Sequence, residues 1–155
     1  VAKDSARPRW LAGIGGEYVD GRAVPPDQVD DQLGPMDLIV EATGVASLAF
    51  NLLDGLATNG VYVLTGLPGG ERPLQIPGPD LIRQLVLGNQ VMFGSVNAAR
   101  AHFQMAVDDL RQAHQRWGDH LNQLITHRHH FTDFQEALTH HPDDEIKTVI
   151  EWQKS

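Results

Sequence analysis

Three short apolar runs, each closed by small residues and separated by stretches with helical spacing, constrain this chain more than any other feature. Met36 to Thr43 has a compact β-branched centre and ends at Gly44, the pattern of a buried parallel strand that stops where a ligand can approach. Leu48, Leu52, Leu53 and Leu56 then fall at helical spacing within Val45 to Leu56, with Asn59-Gly60 as the expected stop. Gly60 to Gly66 supplies the second strand, and Pro68-Gly69-Gly70 opens the loop beyond it. Pro79 to Gly88 predicts a helix with Pro79 in its first turn, Leu81, Ile82, Leu85 and Val86 as its apolar face and Gly88 as its stop. Val91 to Val96 is the third strand. Strands alternating with helices in this way predict an α/β fold, a doubly wound and mainly parallel sheet with helices on both faces.

The flanking segments are less regular. Ala98 to Trp117 predicts the longest helix, with Phe103, Val107, Leu110 and Ala113 or His114 as a buried stripe. A short helical piece around His120 to Leu124, an extended link through Ile125 to His130 and a helix opened by Thr132-Asp133 follow. Phe134, Ala137 and Leu138 are expected to pack that helix, and Ile146 to Trp152 alternates as a last strand. Near the start, Arg9 to Gly15 reads as a helix tail and Glu17-Tyr18-Val19 as a short strand. Gly21 to Gly34 is a Pro-rich, acidic linker with room for one helical turn.

Composition narrows the function classes. The chain has 155 residues, 41% apolar, with no cysteine and a formal net charge of -8. A chain of this size buries about two-thirds of its unfolded surface, so intrinsic disorder is not expected. Absence of cysteine removes disulfide frameworks and thiolate zinc sites and leaves a cytoplasmic home as the expectation. The acidic balance disfavours nucleic acid as a partner, because that needs clustered Lys and Arg. No apolar run approaches the roughly 20 residues needed to cross a bilayer, so no membrane association is expected.

Two motifs invite functional readings that their context weakens. Gly13-Ile14-Gly15-Gly16 looks like a dinucleotide fingerprint, but that pattern needs a strand before it and a helix after it. Here the order is reversed, which predicts a helix C-cap. Five of the eight histidines are His127, His129, His130, His140 and His141. No HExxH spacing occurs and Asp143-Asp144-Glu145 lies in an expected surface loop, so these are read as solvated histidines and no metal site is expected.

The loops closing the three strands carry more information. Ala42-Thr43-Gly44, Thr65-Gly66-Leu67 and Ser95-Val96-Asn97 fall on one edge, because the C-terminal ends of parallel strands lie together and ligands bind there. Small residues, backbone amides and one side-chain amide suit a flat polar ligand such as nicotinamide; ordinary turn chemistry is the plainer alternative. Lys3, with Arg7 and Arg9 nearby, emerges at the same edge if Val1-Ala2 ends a buried strand. A basic residue there favours the 2′-phosphate of NADP over the ribose hydroxyls of NAD, with a solvated helix start as the alternative.

Several stretches together resemble the medium-chain dehydrogenases/reductases, specifically the glucose (aldose) 1-dehydrogenases. They are Val1 to Asp4, Gly15 to Asp20, Met36 to Gly44, Asn59 to Leu67, Gly94 to Asn97 followed by His102-Phe103, and Glu145 to Trp152. The resemblance implies NADP or NAD as cofactor. Lys3 stands where the family places a basic residue against the 2′-phosphate; the family often has two arginines where this chain has Ala2-Lys3, which leaves dual use open. Thr43 is similar to the residue closing over the nicotinamide ribose. Thr65, Gly66 and Leu67 resemble the stretch whose backbone holds the nicotinamide, and Ser95, Val96 and Asn97 its opposite wall. Asn97 resembles a residue that also touches the sugar, and Lys147 a late basic residue reaching the cofactor phosphates. The implied reaction passes hydride from sugar C1 to C4 of the nicotinamide, with zinc polarising the sugar hydroxyl.

The same resemblance shows a departure. No equivalent of the zinc-bearing catalytic domain is present, and the chain starts on Val1, after the place of the first strand and its GxGxxG turn. It is therefore expected to be a fragment, cut by cloning or proteolysis and inactive alone, with zinc held in the missing domain. Residues 1–118 would belong to a dinucleotide-binding domain and 119–155 return toward the catalytic domain. The strand at Met36 would become a raw edge, and Glu17-Tyr18-Val19 would lack a neighbour. Family dimers join through the last strand of the sheet, here Val91 to Val96, so a homo-oligomer, dimer or tetramer, is expected. The alternatives are a non-catalytic interaction module built on a Rossmann-type domain, or another zinc-dependent medium-chain alcohol dehydrogenase.

Overall fold

A computed structural model describes residues 5–69 and 73–153. The elements run α1 (Ala6–Gly13), α2 (Val29–Leu33), β1 (Met36–Glu41), α3 (Ala46–Asn51), β2 (Leu56–Leu64), α4 (Gly78–Leu87), β3 (Val91–Gly94), α5 (Arg100–Trp117), α6 (Asp119–Asn122), β4 (Ile125–His130), α7 (Phe134–Thr139) and β5 (Lys147–Glu151). Among the described residues, no helix is long and apolar enough to cross a membrane. The chain divides into two compact units, residues 21–97 and residues 1–20 with 98–155.

The first unit holds three parallel strands in the order β1-β2-β3. Leu38, Ile39, Val40 and Glu41 pair with Val61, Tyr62, Val63 and Leu64, and these last four pair with Val91 to Gly94. Among the described residues β1 pairs with β2 alone, which leaves its other side as an edge. On one face Ile39, Leu53, Leu56 and Tyr62 form the core, joined by Met36, Leu52, Leu64, Met92 and by Leu81 and Leu85 of α4. Leu53 is 2% exposed and Tyr62 0%, its hydroxyl donating to the Ala49 carbonyl at 2.7 Å. On the opposite face Leu38, Val40, Val91 and Phe93 are exposed.

Boundaries differ from expectation where polar groups intervene. The helix expected over Val45 to Leu56 ends at Asn51 and tightens into a 3-10 turn over Leu52–Gly55, and β2 has already begun at Leu56. The tighter turn brings both Leu53 and Leu56 into the core. Asn59-Gly60 therefore marks an irregularity inside β2, where the pairing jumps from Leu56 opposite Met36 to Val61 opposite Leu38. Asn59 takes φ 63 and donates its N–H to the Gly88 carbonyl at 2.8 Å. Two glutamines bond carbonyls beside this detour: Gln84 Nε2 donates to Leu53 O at 2.7 Å and Gln90 Nε2 to Leu56 O at 2.8 Å. Helix α4 stops at Gly88 as expected, whereas Ile82 and Val86 of its apolar face are exposed.

The second unit departs further. The extended link Ile125 to His130 is strand β4, paired in parallel with β5 from Ile125 opposite Lys147 to His130 opposite Glu151. Its polar residues hid it, because the sequence shows no apolar alternation there. Glu17-Tyr18-Val19, expected as a short strand, joins no ladder among the described residues. Helix α1 ends in a Schellman motif: Gly15 takes φ +85, and the amides of Gly15 and Gly16 donate to Ala12 O at 3.0 Å and Leu11 O at 2.9 Å. That geometry makes the glycine run a helix stop. Trp10 Nε1 donates to His120 O at 3.0 Å, His120 Nε2 contacts Trp10 O at 2.9 Å, and the rings stack. The stripe expected to bury α5 is exposed, with Phe103 at 66%, Val107 at 49% and Leu110 at 58%. In α7 Ala137 is buried, but Phe134 and Leu138 are exposed. Helical spacing identifies an apolar stripe without supplying the partner that covers it.

Candidate functional site

The three parallel strands bring Thr43, Thr65 to Leu67 and Ser95 to Asn97 to one edge of the first unit, each just past the C-terminal end of its strand. Backbone bonds fix their spacing. The Glu41 carbonyl accepts from Thr65 N at 2.8 Å, Gly66 N at 3.1 Å and Thr65 Oγ1 at 2.9 Å, and the Leu64 carbonyl accepts from Ser95 N at 2.9 Å. Leu67, Val96 and Asn97 lie exposed beyond these ties.

Close approach between the first two loops requires glycine. Gly44 takes φ +70, and a Cβ there would meet the Leu67 carbonyl oxygen at 2.4 Å; at Gly66 a Cβ would fall 2.1 Å from the Gly44 amide nitrogen. The two loops therefore touch backbone to backbone, forming a ledge lined by main-chain atoms. A small apolar cavity opens behind it, lined by Ala49, Phe50, Leu64 and Met92 together with Glu41 and Gly66.

The sequence reading passed over the residue that organises this ledge. Glu41 is only 4% exposed, and its Oε1 accepts from Thr43 N at 2.6 Å, Gly44 N at 2.9 Å and the Thr43 hydroxyl. Thr43 Oγ1 in turn accepts from Val45 N at 3.1 Å. The Thr43 hydroxyl holds the Glu41 carboxyl below its ordinary 4.5; burial pushes the other way, and the amides of Thr43, Gly44 and Gly66 add to the lowering. The available signal was a carboxylate that follows the apolar run Leu38 to Val40 at the end of the strand, two residues before a threonine. Below it, burial and then the nearby Glu41 charge push the Tyr62 phenol up to about 12.

Other predicted positions lie elsewhere. Lys3 falls outside the described residues. Lys147 opens β5 in the second unit, with an exposed side chain. The histidines of that unit find separate partners: His141 Nδ1 meets Glu145 Oε2 at 2.9 Å, His127 Nε2 lies 3.9 Å from Asp144 Oδ1, and His130 Nδ1 contacts Thr132 Oγ1 at 3.0 Å. The Thr148 hydroxyl and then His141 hold the Glu145 carboxyl low. Among the described residues, no three His, Asp or Glu side chains gather into a possible metal site.

Comparison with known proteins agrees with the geometry. The family model for the glucose dehydrogenase C-terminus matches residues 1–152. Glucose 1-dehydrogenase 2 of Vulcanisaeta moutnovskia is 39% identical over 148 residues, which are 96% of this chain and 40% of that protein. The crystal structure of glucose dehydrogenase from Haloferax mediterranei superposes with a TM-score of 0.88 at 30% identity, covering 100% of this chain and 42% of that one. A second structure of the Haloferax enzyme, in complex with NADP, Zn and gluconolactone, covers the same shares with a TM-score of 0.87 at 30% identity.

Parallel strands with loops gathered at their C-terminal edge place the chain in the Rossmann-like α/β class. Within that class it belongs to the glucose dehydrogenase C-terminus family. It spans about 40% of the length of the curated relatives it matches.

Proposed function

We propose that this chain supplies the cofactor-side part of an NAD(P)-dependent glucose, or closely related aldose, 1-dehydrogenase. The observation that carries the reading is the edge at Thr43, Thr65–Leu67 and Ser95–Asn97, built on consecutive parallel strands in a chain of the glucose dehydrogenase family. The glycine-lined ledge fits a flat ring, since main-chain atoms of Gly44, Gly66 and Leu67 line it, with the Glu41 carboxylate packed against Gly66. In this reading the backbone of Thr65, Gly66 and Leu67 holds the nicotinamide, Thr43 closes over its ribose, and Ser95, Val96 and Asn97 form the facing wall. Asn97 also reaches the sugar, while Lys3 and Lys147 meet the cofactor phosphates.

The bound nicotinamide supplies the hydride acceptor, with hydride leaving the sugar at C1. The chain's own contribution is alignment, and holding reactants in place contributes roughly 7–11 kcal/mol in favourable cases. Among the described residues no three His, Asp or Glu side chains could hold zinc; in this reading the zinc that would polarise the sugar hydroxyl is held by a catalytic domain other than this chain. Residues 1–118 belong to the dinucleotide-binding domain and 119–155 return toward the catalytic domain. The chain works in the cytoplasm as part of a homo-oligomer, with β3 as the edge that joins copies. Turnover by the intact dehydrogenase of a panel of aldoses with NADP and with NAD tests the proposal: lactone formation coupled to cofactor reduction is expected, and no reduction with any aldose overturns it.

A further inference from the structure

We propose that Glu41 is the positioning residue of the cofactor edge: it ties the loop after β1 to the loop after β2 and fixes the Thr43 hydroxyl as a hydrogen-bond acceptor toward the ligand. The inference rests on the cofactor-binding reading above. Glu41 occupies a core position beside apolar neighbours, where burying a carboxylate costs free energy unless its oxygens are bonded. No Lys, Arg or His pairs with it among the described residues; its charge is met by donors of the edge itself. Its side chain holds Thr43 and Gly44 and its carbonyl holds Thr65 and Gly66, so one residue sets both halves of the ledge.

The consequence for Thr43 is specific. Its hydroxyl proton is committed to Glu41, and one lone pair accepts from Val45 N–H at 3.1 Å. The remaining lone pair can only accept, which suits a donor such as a ribose hydroxyl. Without the Glu41 carboxylate the hydroxyl rotates freely and the loop after β1 loses its side-chain anchor, while the main-chain carbonyl of residue 41 keeps its bonds to Thr65 and Gly66.

The test uses the intact dehydrogenase carrying Glu41→Ala or Glu41→Gln, with Arg111→Ala as a control on the exposed Arg111–Asp108 pair of α5. Loss of bonds to a charged acceptor is expected to raise the cofactor KM about tenfold in Glu41→Ala and less in Glu41→Gln, whose amide oxygen still accepts. The aldose KM should stay within about twofold. Hydrogen exchange at Thr43 and Gly44, whose amides bond the carboxylate, should quicken about tenfold, while Thr65, bonded to the main-chain carbonyl of residue 41, and Val61 to Val63 keep their protection. A fold defect would lower kcat through the active fraction and leave the cofactor KM alone; that outcome, or wild-type exchange at Thr43 and Gly44, overturns the proposal. If Glu41→Ala does not fold, the isosteric Glu41→Gln carries the same comparison. If the wild-type enzyme reduces no cofactor, the dehydrogenase reading fails, and exchange at Thr43 and Gly44 still decides whether the Glu41 carboxylate anchors their loop.

Discussion

Tyr62 and Glu41 are two polar side chains buried in one core, and each answers to a different end of the pH scale. Replacing Tyr62 by Phe leaves the Ala49 carbonyl without its 2.7 Å partner, and urea unfolding should show a loss of about 1–3 kcal/mol. Because the phenol sits near 12 in the folded chain against 10.0 when unfolded, its contribution is complete below pH 10 and is lost as pH rises toward 12. Glu41 has the opposite sign. Its folded carboxyl lies below 4.5, so its stabilisation is complete above that value and is lost as pH falls through the folded value. Acid unfolding followed by circular dichroism should therefore begin at lower pH relative to neutral stability in Glu41→Gln than in the wild type; superimposable normalised curves would remove Glu41 as a source of acid lability. Thr43, Gly66 and Asn97 were legible as edge residues because small residues after a strand announce themselves locally. Glu41 was not, because its burial, and its carbonyl's bonds to Thr65 and Gly66 more than 20 residues away, leave no mark on the neighbouring sequence.

At the scale of elements, periodicity located the helices and left their burial open. Leu53, at 2% exposed, stands in the 3-10 turn that replaces the end of the expected helix, and Leu53→Ala should cost about 2–5 kcal/mol. Leu110 stands in the most regular stripe of the chain yet is 58% exposed, and Leu110→Ala should cost under about 1 kcal/mol in chemical denaturation of this chain. Similar losses at the two sites would mean that the α5 stripe is packed. Strand β4 shows the converse failure: Thr126 to His130 lacks an apolar alternation, and the element exists because β5 pairs with it and Thr126 Oγ1 accepts from Ile146 N at 3.0 Å.

For the whole molecule, the family relationship covers nearly all of this chain but only about 40% of its relatives. Under the reading proposed above, in which Lys3 faces the 2′-phosphate, Lys3→Asp in a dehydrogenase containing this chain should raise the KM for NADP at least about tenfold more than that for NAD. Equal effects on the two cofactors would take Lys3 out of the phosphate site.

The sequence alone determined the α/β class, three parallel strands, the glycine run as a helix stop and the residues that crown the strand edge. These follow from short-range chemistry, β-branched runs and small closing residues, that needs no distant partner. Tertiary structure decided which apolar faces are covered, that β4 and β5 pair, and that Glu41 anchors the edge. Each of those depends on groups far apart in the chain meeting at hydrogen-bond or van der Waals distance, and a pattern of neighbours along the sequence carries no record of that meeting.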